Sequence, residues 1–531
     1  MAEDVDVLGR YLGAASAAVG AFQPVRPYVR ISNSSGQSIV YNTVPRQRRG
    51  LLGAHSAGVA QREIIEHVVA PHVDDVLRTF FDRVHPCFPV LDAAMFWDLW
   101  LADRKRLSST LVCDMIAVAL PSFARSDDAV PLRPCPDVPF VWNQAVLALR
   151  DDFLAPSVAA VHAATLDMLG RPIFQVTGNI INVGRTVSLA HSLGLHRDPS
   201  SWQAPDAEKS LRIRMWWGVL THDYWSSLCH GTPPNICRAN YDVPLFTERA
   251  MRGAATSESH IRSLTTFVHL CSLTQILGDV LPLVYALSRK PEHALRSIRR
   301  IESSMDDWED SLPDYLRTPA YGSAALPAVN GASGLWFYFL SVKLIVHRLA
   351  YKITAEDADA SPEEARKYRA VLLRNAALAI VEYTTSLRIS QLREFWLPYT
   401  AHLLVSATTI LLRCAIDLSS PAESVTIIGK LAKLLDFLRD ASRDAQWDLA
   451  HFCLEQCAHP IETIAAALSA SSASISVALS GPGSERRMTR EMEPLGQEEQ
   501  ISQSEMLDPS KLLDDLFDPP WYNFDAASDL R

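Results

Sequence analysis

The sequence lacks the cysteine patterns that hold zinc or build a disulfide framework. Its nine cysteines are odd in number and dispersed, and no Cys-x-x-Cys pair occurs among them. The closest approach is Cys453-x-x-x-Cys457 with His459 nearby, which has no second ligand pair at zinc-site spacing. We therefore expect reduced, buried thiols, with Cys453 and Cys457 packed together in a helical core.

An excess of basic charge is also missing. The chain has 50 Lys and Arg against 60 Asp and Glu, a formal net charge of -10. A self-sufficient nucleic-acid binder presents a broad surface that neutralises phosphates, so any DNA contact must be local or supplied elsewhere. For the small basic patch of Arg46, Arg48 and Arg49, a solvated loop is favoured over a nuclear import signal.

No segment predicts secretion or membrane insertion. Three acidic residues precede the small-residue stretch 12–21, the reverse of the basic start that a secretory signal needs. The most apolar long run, 403–416, is interrupted by Arg413 and is too short for a hydrocarbon layer of roughly 30 Å. We expect no contact with a membrane.

Helical periodicity dominates what is present. Between about residues 62 and 470, apolar residues recur at helical spacing, strand signals are scarce, and no fixed-period repeat occurs. This predicts an all-α class with one irregular multi-helix domain over 62–470. The Ser-, Gly-, Asn- and Pro-rich residues 1–61 predict a disordered linker, and residues 471–531 a disordered acidic and aromatic tail.

Two helix ends can be placed from the sequence. An apolar stripe over 180–190 stops at Gly194, which suits a left-handed C-terminal cap. Pro205 fits the first turn of a second helix that runs to Gly231, where two prolines forbid its continuation. The pattern thus predicts two helices flanking a short loop.

The stretch 178–245 resembles the regulatory domain of fungal zinc-cluster transcription factors. Several short motifs occur there in the family's order and at its separations. The matching residues are Gly194, Leu195, His196, Arg197, Asp198, Arg212, Arg214, Trp216, Trp217, Asp223, Gly231, Pro233, Asp242, Pro244 and Leu245. Two outlying segments, 85–92 and 308–313, resemble further parts of the same domain.

The resemblance implies a non-enzymatic regulator of RNA polymerase II transcription in a fungal nucleus, able to form homo- or heterodimers. Family members also carry an N-terminal six-cysteine cluster that holds two zinc ions and places a helix in the major groove. No cysteine precedes Cys87 here, so zinc is expected only if such a cluster exists outside this sequence. The alternative is a co-regulator or scaffold without DNA contact of its own, recruited by a complete zinc-cluster partner.

The tail resembles an acidic activation segment. Scattered aspartates would keep it solvated while apolar side chains dock into a coactivator as an induced helix, although an inert solvated tail is the simpler alternative. The expected contact residues are Leu512, Leu513, Leu516, Phe517, Trp521, Tyr522 and Phe524.

A third hypothesis is an all-α, metal-dependent diphosphate lyase. Residues 306–310, Asp-Asp-Trp-Glu-Asp, have the acid spacing of the magnesium motif of terpene cyclases. The same spacing recurs at 514–518 in the tail, and no second ligand cluster follows on a later helix. An ordinary acidic helix end is the favoured interpretation.

Each motif side chain also has a purely structural interpretation. The tryptophans supply apolar area to a core, and His191 and His196, five apart and off a common helical face, would serve in capping and packing. Arg212 and Arg214 are expected to pair with nearby acids. The acids in reach are Asp198, Glu208 and Asp223. A small effector could fit between the helices, but no residue pattern identifies one.

Overall fold

A computed structural model of the protein describes most of the helical region and part of the N-terminal segment. The described residues are 28–32, 38–42, 57–125, 136–153, 157–170, 176–202, 204–245, 257–288, 290–317, 329–356, 362–418 and 420–479. The basic patch at 46–49 and the seven predicted tail contacts from Leu512 to Phe524 lie outside the described residues.

The predicted all-α class is confirmed. The helices follow one another in an irregular array with polar or proline-bearing connections, and a π-helical turn over Phe80–Val84 extends the second of them. In the described residues, the sixteen α-helices are α1 Val59–Val69, α2 Val73–Thr79, α3 Ala93–Ala102, α4 Ser109–Ala124, α5 Val138–Asp152, α6 Val158–Asp167, α7 Val176–Ser192, α8 Asp206–His230, α9 Glu258–Tyr285, α10 Pro291–Ser311, α11 Ala332–Glu356, α12 Glu363–Thr385, α13 Ile389–Leu392, α14 Tyr399–Asp417, α15 Pro421–Asp444 and α16 Asp448–Leu479.

A small β-ribbon occurs within the segment that the sequence assigned to a structureless linker. Strand β1 (Tyr28–Ser32) pairs antiparallel with β2 (Ser38–Asn42), and Arg30 stands opposite Val40. The two strands are rich in β-branched and aromatic residues on either side of Asn-Ser-Ser-Gly, which is a hairpin pattern. The prediction missed it because the pattern spans only five residues on each side.

The limits of the helical region differ slightly from the prediction. Helix α1 begins at Val59, and α16 continues to Leu479, past the predicted boundary at residue 470. Serine and alanine after residue 468 reduce the apolar pattern without breaking a helix, since neither carries the steric penalty of proline or the backbone entropy of glycine. The strong helix breakers, Gly481 and Pro482, come only beyond Leu479.

Both predicted helix ends are confirmed. After α7, Gly194 adopts a left-handed φ of 68°, and the N–H of Leu195 donates to the carbonyl of Ala190 at 3.0 Å, as in a Schellman cap. Pro205 precedes α8 as its N-cap, and Gly231 ends it with a φ of 69°. The short connection from α7 to α8 sets the two helices side by side.

Helix α8 lies at the centre of the domain. It packs against α6, α7, α9 and α14, and one hydrophobic core continues from α1 to α16 around it. Trp216, Trp217 and Trp225 of α8 are at most 1% exposed. Trp225 also donates its indole N–H to the hydroxyl of Thr274 on α9, at 2.9 Å. Large aromatic area therefore holds the layers together.

The described cysteines are free thiols. Cys453 and Cys457 lie buried on α16, in agreement with the core pair expected from the sequence, whereas Cys237 is exposed. Burial raises the pKa of Cys457 to about 12, so this thiol stays protonated and unreactive at neutral pH.

Two of the described helices, α9 and α14, are long and apolar enough to cross a membrane by length and composition, with mean hydropathies of 1.5 and 1.4. Within the protein, 50% of the α9 window and 61% of the α14 window are buried. Core helices of globular proteins pass the same test, so these two helices are weak evidence for membrane insertion.

The contact between α8 and α9 predicts a matched pair of opposite effects. A Cβ at Gly278 on α9 would lie 2.5 Å from a ring carbon of Tyr224, whereas one at Gly429 on α15 would meet nothing within 4 Å. Gly278→Ala should destabilise the fold by about 1–3 kcal/mol through overpacking. Gly429→Ala should stabilise it by up to about 1 kcal/mol through helix propensity. Urea unfolding of both variants measures this, and a neutral Gly278→Ala would contradict the tight packing.

Candidate functional site: the motif segment and an adjacent cavity

The motif residues form one continuous structural unit. They occupy the C-terminal cap of α7, most of α8, and the segment 231–245, which folds back along the two helices. The unit is built from a few contacts, each made by a motif side chain.

Asp242 joins the turn after α7 to the returning segment. Its carboxylate accepts hydrogen bonds from the guanidinium Nε of Arg197 at 3.2 Å and from the backbone N–H of Asp198 at 2.6 Å. Its own N–H donates to the carbonyl of His196 at 3.2 Å. The His-Arg-Asp motif thus positions residue 242 and the chain beyond it.

Arg212 pairs with one of the predicted acids. Its Nε donates to Glu208 at 3.2 Å, one helical turn earlier, and Nη1 reaches the carbonyl of Leu193 at the end of α7, at 3.5 Å. The guanidinium also lies 4.9 Å from the ring centroid of Trp202. Because the last carbonyls of a helix carry partial negative charge, this arginine ties α8 to the C-terminus of α7.

Arg214 does not pair with Asp198 or Asp223, and that expectation was wrong. Nine residues separate Arg214 from Asp223, which on an α-helix is about 13.5 Å of rise and two and a half turns, so the side chains leave opposite faces. Arg214 is 4% exposed, and its Nε has no hydrogen-bond partner among the described residues. Burial lowers its pKa to about 10, opposed by the charge of Asp92.

Two histidines lie within the electrostatic reach of Arg214. Burial, followed by the charge of Arg214, lowers the pKa of His162 to about 3. Burial also lowers the pKa of His85 to about 4, with Arg214 contributing in the same direction, and His85 Nε2 lies 3.0 Å from the carbonyl of Leu91. Both rings are therefore neutral at physiological pH and serve as polar core groups.

Asp223 clamps the chain that follows α8. Its carboxylate accepts from the backbone N–H of Asn235 at 3.0 Å, from the Asn235 side-chain amide at 2.8 Å, and from the N–H of Ile236 at 2.7 Å. Burial raises the pKa of Asp223, and these hydrogen bonds oppose the rise. The segment after Gly231 is thereby held against the buried helix, while Pro233 is exposed and directs the turn.

The two central tryptophans seat the end of the same segment. Trp217 donates its indole N–H to the carbonyl of Pro244 at 2.9 Å, and Trp216 lies 5.4 Å from Tyr241 between ring centroids. On the other side, the ring of Trp216 is 5.6 Å from His191. These contacts explain the spacing of the Trp-Trp pair and the Asp-x-Pro-Leu motif by packing alone.

His191 and His196 come together although they do not share a helical face. The chain reverses at Gly194, which brings the two ring centroids to 5.0 Å in an edge-to-face contact. Burial lowers the pKa of His196 to about 4, and His191 adds to the shift. Among the described residues, no group of three or more His, Cys, Asp or Glu side chains is arranged to hold a metal ion.

The acidic stretch 306–310 does not assemble a magnesium site in the described structure. Asp306, Asp307 and Asp310 are exposed on α10, which ends at Ser311. Glu309 forms an ion pair with Lys343 of α11 at 3.2 Å. Asp306, Asp307 and Asp310 are thus exposed carboxylates at the end of an amphipathic helix.

A cavity that the sequence did not reveal lies next to the motif unit. It has a volume of about 340 Å³ and is bounded by the C-terminal end of α8, the middle of α11 and the middle of α14. Its polar lining includes His230, Ser341, Arg348, His402 and Ser406. The contributing residues come from three helices that are far apart in the sequence, and each belongs to an ordinary helical stripe, so no local pattern predicts the cavity.

The motif unit falls within a recognised domain. Residues 180–310 match the model of the fungal specific transcription factor domain. The matched range contains most of α7, all of α8 and the returning segment that Asp223 and Trp217 hold in place. In this part the chain is similar to the fungal transcription regulators that carry this domain, in agreement with the resemblance seen in the sequence.

Several proteins of similar sequence are named as transcriptional or regulatory proteins. An uncharacterized transcriptional regulatory protein of Schizosaccharomyces pombe is 22% identical over 422 residues, covering 78% of this chain and 61% of that protein. The transcriptional activator protein DAL81 of Saccharomyces cerevisiae is 22% identical over 391 residues, covering 64% and 39%. The acetamidase regulatory protein of Aspergillus fumigatus is 22% identical over 262 residues, covering 49% and 32%.

The chain spans 61% of the length of the first of these relatives and 39% of the length of the second. No solved structure matches it. The assignment consequently rests on the matched domain and on the relatives, and the geometry explains what the motif residues do within that domain.

The Asp223 clamp predicts a large loss of stability when its carboxylate is removed. Asp223→Ala would leave the buried N–H of Ile236 without a partner, so the free energy of unfolding should fall by roughly 2–3 kcal/mol. Asp307→Ala is the matched control, since this exposed carboxylate on α10 should change stability by no more than about 0.5 kcal/mol. Urea unfolding at neutral pH compares them, and equal stability of the two variants would rule out the clamp.

The neutral histidine near Arg214 predicts acid sensitivity. Because the pKa of His162 is about 3 in the fold and about 6.5 when unfolded, the unfolded state takes up the proton first as pH falls. Stability is fully present above pH ~6.5 and is lost below it, by about 1.3 kcal/mol from this group between pH 7 and pH 5.5. His162→Gln should remove that part of the pH dependence.

The measurement is urea unfolding of wild type and variant at both pH values. His67→Gln, which replaces an exposed ring on α1, is the control and should retain the wild-type pH dependence. An identical loss of stability in His162→Gln and wild type would show that His162 is not held neutral by burial.

Proposed function

We propose that the protein regulates RNA polymerase II transcription in a fungal nucleus, with the helical domain as its regulatory region and the acidic tail as its contact with coactivators. The observation that carries the proposal is the match of residues 180–310 to the fungal specific transcription factor domain. Relatives that align with much of the chain are named as transcriptional regulators, which supports the same conclusion.

The geometry of the motif unit supports a regulatory role rather than a catalytic one. Its arginines and aspartates are engaged in holding α7, α8 and the segment 231–245 together, as in the bonds of Arg212 and Asp223. Arginine and aspartate side chains that are bonded to the backbone in this way hold the chain in position and do not project into an open cleft. The chemistry of the unit is therefore that of a rigid scaffold.

DNA contact is proposed to come from a zinc-cluster segment, either of the same protein or of a partner subunit. The net charge of -10 disfavours a broad phosphate-binding surface on this chain. Homo- or heterodimerisation through the helical domain would bring such a segment to a promoter together with the tail.

The tail supplies the contact with the transcription machinery in this proposal. In a helix induced on binding, Leu512, Leu513, Leu516 and Phe517 would share one face. The aspartates between them keep the segment soluble before it binds, and no basic residue interrupts 512–530. Aromatic and leucine side chains contribute most of the free energy in docking of this kind.

A reporter assay in yeast tests the proposal. The full chain is fused to a heterologous DNA-binding domain upstream of an RNA polymerase II promoter, and residues 471–531 are fused separately in case the helical domain represses the tail. The tail fusion should activate the reporter. The double substitution Leu516→Ala, Phe517→Ala should lower it by roughly tenfold, the effect of losing about 1.4 kcal/mol of binding.

The double substitution Asp306→Asn, Asp307→Asn in the full-chain fusion is the control. It removes two exposed acids from the stretch of α10 whose acid spacing matches that of the tail. This change should leave reporter output unchanged. No response from either fusion would contradict the activator role of the tail. Repression by the full chain with activation by the tail would assign the helical domain an inhibitory role.

A further inference from the structure

The cavity beside the motif unit has the dimensions and walls of a small-molecule site. Its volume of about 340 Å³ lies at the lower end of the range for ligand pockets, roughly 300–1,000 Å³. Leu228, Leu344, Ile345, Leu403 and Ile410 provide apolar walls from three different helices. At about 30 Å³ per water molecule in the liquid, the space suits a compound of on the order of ten non-hydrogen atoms.

Arg348 brings a positive charge to this cavity, and the described residues place no acidic partner beside it. Its guanidinium makes no hydrogen bond or ion pair with any described residue, although the side chain lines the cavity. Desolvation and the neighbouring charge of Arg413 lower the pKa of Arg348, yet a guanidinium remains protonated at neutral pH. Arg413 differs, because it has its own carboxylate in Asp417 at 3.7 Å.

His230 offers a second unsatisfied group on the same wall. It is 5% exposed, its Nδ1 lies 2.9 Å from the hydroxyl of Ser226, and its Nε2 has no hydrogen-bond partner among the described residues. Buried polar atoms are rarely left in this state, so Nε2 is suited to a ligand or a water. Burial lowers the pKa of His230 to about 3, so the ring contributes a hydrogen bond without a charge.

Two hydroxyl groups complete the polar lining as acceptors. Ser341 donates to the carbonyl of Phe337 at 2.8 Å, and Thr409 donates to the carbonyl of Val405 at 2.8 Å. Each hydroxyl oxygen retains lone pairs for a donor on the ligand. The cavity therefore combines one positive charge, neutral hydrogen-bonding groups and apolar walls.

We propose that this cavity binds a small organic carboxylate, with its anionic group on Arg348 and its body against the apolar walls. A guanidinium pairs with a carboxylate through two parallel hydrogen bonds. A phosphate ester carries about -1.5 to -2 at neutral pH and would need more positive charge than the guanidinium that the described residues place on the cavity wall, so a monoanion fits better. Gly231, which caps α8 and is a motif residue, also lines the cavity.

Benzoate is the probe, because it has about the size estimated from the cavity volume and one carboxylate. Its binding to the purified full-length chain is measured by isothermal titration calorimetry, beside the neutral isostere benzyl alcohol and the dianion phenyl phosphate. Benzoate should bind saturably, at least about tenfold tighter than benzyl alcohol, because a charge-assisted hydrogen bond is worth roughly 1.5–3 kcal/mol.

Three variants locate the site. Arg348→Gln should weaken benzoate binding by at least about tenfold, whereas the matched control Arg413→Gln, whose guanidinium is paired with Asp417, should leave it unchanged. Ser406→Phe places a ring in the cavity and should abolish binding of benzoate and benzyl alcohol alike. Thermal unfolding and circular dichroism of each variant establish that the fold is retained.

Several results would overturn the proposal. These are the absence of saturable benzoate binding, equal affinity for benzoate and benzyl alcohol, unchanged affinity in Arg348→Gln, or tighter binding of phenyl phosphate, which would assign a phosphate ester instead. If Arg413→Gln weakened binding as much as Arg348→Gln, the anion would bind outside the cavity. The assay reports binding alone, so its failure leaves the role in transcription untouched.

Discussion

The burial of α8 is the constraint on which the rest of the domain depends. This 25-residue helix packs against four others, so its buried polar side chains lose water and are stabilised by partners inside the protein. Asp223 does so through backbone N–H groups after the helix, and Arg212 through Glu208 and the end of α7. Satisfying these groups fixes the path of the chain on both sides of α8, and thereby the position of the elements that pack on it.

The family motifs acquire a physical meaning from this constraint. A helix with tryptophans and charged residues in its buried part is set in place by a left-handed cap at the C-terminal end of α7, another at its own C-terminal end, and a returning segment that accepts the indole N–H of Trp217. The order of the motifs is therefore the order of the contacts that close one structural unit. The match to the fungal specific transcription factor domain covers the residues that make these contacts.

Some buried ionisable groups serve only in packing, and others retain a hydrogen-bonding atom that faces a cavity. His162 and His85 are kept neutral by burial with the charge of Arg214 nearby, so they belong to the core and make it sensitive to acid. Arg348 and His230 line a cavity at the end of the same central helix and retain hydrogen-bonding capacity. The cavity that we propose as a binding site therefore lies beside Gly231, in the most constrained part of the domain.

By itself the sequence determined the all-α class and the ends of α7 and α8, because helical period and capping glycine act over a few residues, whereas it left the partner of Arg212 open among three acids. The acidic spacing at 306–310 could likewise be judged locally as a helix end. Tertiary structure alone decided the partners of Asp223, since the backbone N–H groups of Asn235 and Ile236 reach its carboxylate only when the segment after α8 folds back along the helix. It alone also created the cavity, because Arg348, His230 and Ser406 are brought together by the packing of three helices, and no short-range pattern records that meeting.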